Sequence, residues 1–379
     1  MAATRLQEAR RQRGYSAQDV IAMMLRRAEM LGIPVMSPAS LKTNLSRWEN
    51  GRTTVSATYQ RLIRDIYGLT NEELGFPPAS EDNEDEVEEL RSRLTIARTV
   101  DAGTVALFRQ QVENARHVDR RFGGITVLDE LRSQMNQIER LLDYSTMRGQ
   151  REALAGVLTE AAALAGWEAL DRNAIRQSWE HHERAKDGAR AASSPLLLAH
   201  SLAQQAFILI DIGEVGEAVG QLGEARALAE NTAPALLRSW LAAAHGEGLA
   251  ADGQRDEALR AFDVADKLLP TDPMNADLPF LFLAGGHLDR WRGNAMSKLG
   301  EPDAIDQLSN ALPLVPSDFT RAKAAMLVDL AYAYAAAGNR EAALMHARQA
   351  KRLAMQIKSD RQLRRLNGLI LPTSSVKAA

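Results

Sequence analysis

The sequence predicts an all-α protein, a small helical head followed by a stack of paired helices. Three observations carry that prediction. Helical periodicity with end signals occupies residues 40–52. Gly213, Gly253, Gly300 and Gly338 anchor a recurring pattern of small and apolar residues. Ala and Leu are abundant, while aromatics make up only 5% of the 379 residues, which favours close helix packing over sheet. A chain of this length holds two or more domains.

The stretch Ser40 to Arg52 reads SLKTNLSRWENGR. Ser40 is expected to cap the helix by accepting a backbone N–H, and Gly51 to end it in the left-handed conformation. Leu41, Leu45 and Trp48 recur at i, i+4 and i+7 as one apolar stripe. The other face carries Lys42, Thr43, Asn44, Ser46 and Arg47. A major-groove reader needs that division, although any amphipathic helix with a Gly stop shares it. Upstream, Leu6, Arg10, Gly14 and Ser16 read as a helix, a stop and a new N-cap. Downstream, Tyr59, Leu62, Ile66, Tyr67-Gly68-Leu69 and Glu73-Leu74-Gly75-Phe76 close the same small domain.

Together these positions resemble the Cro/repressor-type (XRE-like) helix-turn-helix domain, in the form frequent in actinobacterial regulators. The resemblance covers residues 1–76. It implies a buried tie between Arg10 and Glu49. It also implies base contacts from Lys42, Thr43, Asn44 and Arg47, and phosphate contacts from Ser16, Gln18, Ser46 and Arg52. Three departures stand out. A long stretch from Met23 to Ala39, with Gly32, Pro34 and Pro38, replaces the usual short turn between the second and third helices. Ala17 stands where many relatives place a phosphate-binding Gln, with Gln18 beside it. Val55 occupies a position where Pro is common.

Charge is distributed unevenly. Residues 1–70 hold eleven Lys/Arg against five Asp/Glu, and the remainder thirty-five against forty-four, for a net charge of −3. A basic head on an acidic body suits a DNA-binding module joined to a domain that avoids DNA, and a soluble basic face is the plainer alternative. Pro77-Pro78-Ala79-Ser80 then breaks the pattern before Glu81-Asp82-Asn83-Glu84-Asp85-Glu86. Residues 77–86 are expected to be an acidic linker leading into a helix whose positive end favours carboxylates. An autoinhibitory cover over the basic helix is the alternative use. The connector, residues 87–150, is helical in pieces, with apolar faces at Leu90, Leu94 and Ala97, then Val105, Phe108 and Val112, then Leu128, Leu131, Met135, Ile138 and Leu142. Between these lies Asp119-Arg120-Arg121-Phe122-Gly123-Gly124, similar to an element of the same regulators. The connector is expected to pack on the body or to serve dimer contact. Phosphate binding by the arginine pair lacks the preceding strand it would need.

The glycine anchors define the repeat. Seven residues before them lie Ala206, Gly246, Gly293 and Ala331, and four before them Leu209, Leu249, Met296 and Tyr334. After them come Ala218, Ala258, Ala304 and Ala343, then Leu222, Phe262, Leu308 and Ala347, then Ala225, Ala265, Ala311 and Ala350. This is the tetratricopeptide pattern, with small residues where paired helices touch and a Gly turn between them. The spacings of 40, 47 and 38 exceed the usual repeat, so helices or turns are lengthened. A degenerate repeat runs from Leu154 through Gly166-Trp167 and Trp179 to Ala185, and Arg361 to Leu371 reads as a capping helix. The repeat domain is thus 151–371, with 372–379 a disordered tail.

The first helices of such pairs line an inner groove. Residues expected there are Trp240, Glu247, His287, Arg290, Asn294, Lys298 and Tyr332, with Asn294 positioned for a peptide backbone and Arg290 for a carboxylate. Each has a solvated face as its plainer reading.

Zero cysteines exclude disulfides, thiolate zinc sites and cysteine nucleophiles, and fit a reducing cytoplasm. No apolar run approaches the length that crosses a bilayer, and no leader is evident, so a membrane location is not expected. His181-His182-Glu183 is the one histidine cluster, but adjacent residues on a helix point apart. No phosphate-binding loop, nucleophile elbow or paired-carboxylate motif is present, and no cofactor or enzymatic activity is expected. The sequence therefore predicts a cytoplasmic, homodimeric regulator, repressor or activator, that binds double-stranded DNA. Its tetratricopeptide solenoid senses a peptide, small-molecule or protein ligand, as in the quorum-sensing regulators whose architecture it resembles. The alternative is a protein-interaction adaptor whose head does not bind DNA.

Overall fold

The computed structural model describes residues 4–77, 80–123, 127–272, 275, 278–281, 283 and 286–372, with residues 80–85 described by backbone alone. Among them every regular element is a helix. The chain divides into two compact units, Met1–Arg93 and Leu94–Ala379.

The first unit holds α1 (Arg5–Gln12), α2 (Ala17–Leu31), α3 (Pro38–Glu49), α4 (Ala57–Tyr67) and the single turn α5 (Asn71–Leu74). Its core gathers Leu6, Val20, Met24, Leu41, Leu45, Leu62, Ile63 and Leu74. The apolar stripe of α3 faces that core. Leu41 and Leu45 are fully buried and Trp48 meets Tyr59 at a tilt, ring centres 5.1 Å apart. Arg10 Nε and Nη2 donate to the two Glu49 carboxylate oxygens at 2.5 and 2.8 Å, and Glu49 is itself buried.

Two expectations for the head change. The cap of α3 is Ser37, whose hydroxyl accepts from the Ser40 N–H at 3.4 Å, so Ser40 lies inside the first turn. Pro38 is the reason, since its fixed φ starts a helix and its missing N–H costs nothing at the first position. The stretch from Met23 is not one long loop. α2 continues to Leu31, and only residues 32–37 connect it to α3. The extra residues are spent on a longer second helix, which buries Met24 and Ala28 before the left-handed Gly32 stops it. Gly51, at φ 66°, follows α3 as expected.

Helix α6 (Ser80–Arg98) contains the acidic run, and the division between the units falls within it. The second unit continues with α7 (Ala102–Phe122) and α8 (Leu128–Tyr144). Five helix pairs follow: α9 (Arg148–Asp171) with α10 (Ile175–Ala191), α11 (Pro195–Ile212) with α12 (Val215–Ala229), and α13 (Ala235–Ala251) with α14 (Arg255–Leu268), then α15 (His287–Leu299) with α16 (Ala304–Ala311), and α17 (Thr320–Ala336) with α18 (Arg340–Gln356). Helix α19 (Asp360–Asn367) ends the array. This is a tetratricopeptide-like stack.

The packing follows the repeat pattern. Gly213, Gly253, Gly300 and Gly338 each adopt a left-handed φ between 73° and 91° at the turn inside a pair. Ala218, Ala258, Ala304 and Ala343, just after those turns, are fully buried. The small residues seven before the turns let the helices approach. A Cβ on Gly246 would lie 2.8 Å from the Phe262 ring, and one on Gly293 would lie 2.7 Å from Leu308. The degenerate first pair turns at Asn173, φ 57°, in place of a glycine.

Two helices, Arg148–Asp171 and Pro195–Ile212, are long and apolar enough by composition to cross a membrane, contrary to the expectation that none is. Both are core helices, with 83% and 56% of the apolar window buried inside the fold.

The ends of the second unit meet. Helix α7 packs on α9 and α17, and α19 packs on α9 as well as on α17 and α18. A Cβ on Gly123, at the end of α7, would strike the Ile357 carbonyl. The capping helix therefore closes the stack onto its first pair. Of residues 372–379, read as a disordered tail, Pro372 is described, its carbonyl accepting from Arg340 at 2.9 Å, while 373–379, Gly124 and the linker's Pro78 and Ala79 lie outside the described residues.

Candidate functional site

Closure of the second unit turns the expected open groove into a walled cavity of about 590 Å³. Of the seven residues expected to line a groove, Trp240, Glu247, Arg290, Asn294, Lys298 and Tyr332 line it. His287 is the exception. It sits at the first position of α15 and packs edge-on against Phe319 at 5.4 Å, in the wall rather than at its surface.

Aromatic side chains form one side. Trp240 lies 5.4 Å from Trp291, which lies 6.2 Å from Phe207, which in turn meets Trp167 edge-on at 6.1 Å. His200 completes the side against Trp240 and Phe280, at 5.0 and 4.5 Å. Burial pushes the His200 imidazole down to about 3, so the ring is neutral in the physiological range and packs as an aromatic.

The rest of the lining is largely charged, and most of its cations are paired within the protein. Arg321 from α17 is hydrogen-bonded to Asp119 on α7, reaches Glu168 on α9 at 2.8 Å, and lies 3.5 Å from Asp171. Burial opposes the charge on Arg321, but its three carboxylate neighbours outweigh that and raise its pKa. Asp119 is raised well above the carboxylate range by burial and by its acidic neighbours, against the pull of Arg321. Arg361 makes two bonds to Asp211, at 2.6 and 2.8 Å, and its guanidinium lies 5.4 Å over Trp167. Arg365 donates to Asp329 at 2.6 Å, Arg116 to Glu160 at 2.8 Å, and Lys298 meets Glu247 at 3.2 Å. Tyr332 donates its hydroxyl to the Arg365 carbonyl at 2.6 Å.

Several buried wall atoms have no hydrogen-bond partner, among them Gln204 Oε1, Arg321 Nη1 and two groups on α15. Arg290 Nε and Asn294 Oδ1 are buried with no protein partner. They stand four apart, hence on one face. Burial lowers the Arg290 pKa, only partly offset by the more distant Glu247 and Asp329. Asn294 is 7% exposed. A buried donor and a buried acceptor on one face of α15, with no protein partner, are what a polar ligand would complete.

The structure brings in residues that the sequence reading placed elsewhere or passed over. Asp119 and Arg120, read as part of a connector break, stand in the cavity wall, and Arg120 lies 5.3 Å over Phe319. Arg321, Asp211 and Phe207 were not singled out. One signal was available: a chain with few aromatics places three of its five tryptophans, Trp167, Trp240 and Trp291, around this cavity. Elsewhere, His181 and His182 are buried in α10, and burial holds them at about 4 and about 3.

In the head, Lys42, Thr43, Ser46 and Arg47 are exposed along α3, and Asn44 is half-buried with its amide toward Met36 Sδ at 3.2 Å. Ser16 and Gln18 are exposed at the start of α2, where Ser16 and Asp19 cap the helix reciprocally, and Arg52 is exposed beyond Gly51. Thr43 donates its hydroxyl to the Ala39 carbonyl at 3.2 Å. The structure thus sets the polar residues of α3 on one accessible face.

No known family profile matches the chain, and no curated protein does. Among solved structures, the nearly identical TPR-like repeats of a Podosopora anserina kinesin light chain align with 17% identity and a TM-score of 0.34, over 53% of this chain and 96% of that one. A Rap protein solved in complex with competence and sporulation factor aligns with 14% identity and a TM-score of 0.47, over 91% of this chain and 97% of that one.

Proposed function

We propose that this chain is a sequence-specific DNA-binding regulator whose helical-repeat body holds a controlling ligand. The observation that carries the DNA half is the division of α3, with Leu41, Leu45 and Trp48 in the core and Lys42, Thr43, Ser46 and Arg47 exposed. A helix anchored so firmly on one side presents the other as a rigid surface to base edges. Lys42, Thr43, Asn44 and Arg47 take the bases. Ser16, Gln18, Ser46 and Arg52 take phosphates, and a symmetric pair of chains sets two heads on an inverted repeat. The ligand half rests on the cavity of the second unit, with its unmatched Arg290 and Asn294.

The test is a gel shift of the full chain on the DNA upstream of its own gene, across a salt series. Affinity is expected to fall about tenfold or more between 50 and 200 mM salt, because phosphate contacts release counterions. An adaptor with an inert head would leave the DNA unshifted at every salt concentration.

A further inference from the structure

Granting that the cavity is a ligand site, its size and wall chemistry say what kind of molecule enters. We infer that the ligand is a compact molecule with a flat apolar body, one anionic group and one hydrogen-bond donor beside it. The anion pairs with Arg290, the donor reaches Asn294 Oδ1, and the body lies against Trp240, Trp291 and Phe207.

Charge argues for the anion. Of the other wall cations, Arg116, Lys298, Arg321, Arg361, Arg364 and Arg365 each meet a carboxylate, and Arg120 lies over the Phe319 ring. Among the described residues Arg290 makes no ion pair, and its Nε meets no acceptor. A guanidinium whose Nε is withdrawn from water and which makes no ion pair is poorly satisfied, and an entering carboxylate or sulfonate offsets that cost with a charge-assisted bond. Asn294, one helical turn along, presents an acceptor and so selects an N–H or O–H close to the acid. Shape argues for the body. Trp291 follows Arg290 in sequence, with the Arg290 guanidinium 6.0 Å from its ring, and leads directly to Trp240 and Phe207.

Size argues against a long peptide. The cavity holds about 590 Å³. The ends that would let a strand pass through are drawn together by Arg321 with Asp119 and Glu168, and by Ser359 with Asp171 at 2.6 Å. The volume falls in the range of small-molecule sites, about 300–1,000 Å³.

The experiment uses the full chain and two dyes of like shape, anilinonaphthalene sulfonate and neutral phenylnaphthylamine, read by energy transfer from tryptophan. The sulfonate dye is expected to saturate at one per chain. Arg290→Gln is expected to weaken it about tenfold or more, the worth of one charge-assisted hydrogen bond, while changing the neutral dye less than about twofold. Arg290→Lys keeps the charge and is expected to fall between, which also serves if Arg290→Gln loses its helical circular dichroism. Equal loss for both dyes, no loss for the sulfonate, or several sulfonates per chain would overturn the inference. So would displacement of the dye by capped hexapeptides but not by indole acetate. The salt-dependent gel shift is run on the same variants. Absent DNA binding would end the regulator reading, whereas the dye result judges the ligand class alone.

Discussion

Arg10 and Glu49 show how one pair can hold a small head together. Both Glu49 oxygens are engaged, and a third Arg10 nitrogen donates to the Tyr15 carbonyl at 3.0 Å. Arg10→Ala leaves Glu49 buried and unmatched, at a cost of about 3–5 kcal/mol. The slowest-exchanging amides of α1–α5 should lose protection accordingly, while those of α9–α18 keep theirs. The buried histidines give a pH signature of definite sign. Burial depresses His182 to about 3, against 6.5 for a free imidazole, so the unfolded chain binds the extra proton between those values. Stability from His182 is present above about 6.5 and is lost as pH falls toward 3. Between pH 4.5 and 6, the unfolding free energy of the parent should rise about 1.4 kcal/mol per pH unit more steeply than that of His182→Leu. Matching urea-midpoint slopes would show that His182 takes up no proton on unfolding. At this scale the sequence was readable where a residue's neighbours are local. Arg290 and Asn294 share a face by spacing alone, whereas Arg321 and Asp119 meet across 202 positions and no spacing announces them.

On the proposed reading helix α3 meets the DNA, and its two ends are expected to behave differently. Arg47 lies in the last turn of the exposed face, while Arg52 lies beyond the Gly51 stop. Arg47→Ala is expected to relax sequence preference, narrowing the gap between preferred and random duplexes. Arg52→Ala is expected to weaken all duplexes alike and to make the salt slope shallower by about one for the phosphate it no longer neutralises. Equal losses for both variants across sequences would overturn that division. Among the repeats, Gly246→Ala must displace the Phe262 ring, with an expected cost of about 1–3 kcal/mol read as a lower Tm. Periodicity located α3 and the four glycine turns of the repeats, but not the turn of the first pair at Asn173. It placed the cap at Ser40 instead of Ser37, because an N-terminal Pro and a second Ser both satisfy the end signal. It also read the lengthened α2 as loop, because Gly32, Pro34 and Pro38 outweighed the helical spacing of Val20, Met24 and Ala28.

Over the whole second unit, closure is what makes a cavity from a stack. Repeat logic concerns each pair and its neighbour, so it predicts an inner groove but not that α7 and α19 shut it. Those contacts join parts of the chain that no repeat relates, through Arg321, Arg361 and Ser359. Arg321→Ala should unlock them. Limited proteolysis is expected to cut α7 and α19 sooner than in the parent, with the interior pairs spared. Binding of the full chain to DNA is decided by sequencing the genomic fragments cross-linked to the parent and to a Lys42→Ala, Arg47→Ala variant. A recurrent inverted-repeat motif is expected among the parent's fragments and its loss in the variant. Fragments without a shared motif, or the same motif from both proteins, would contradict that expectation.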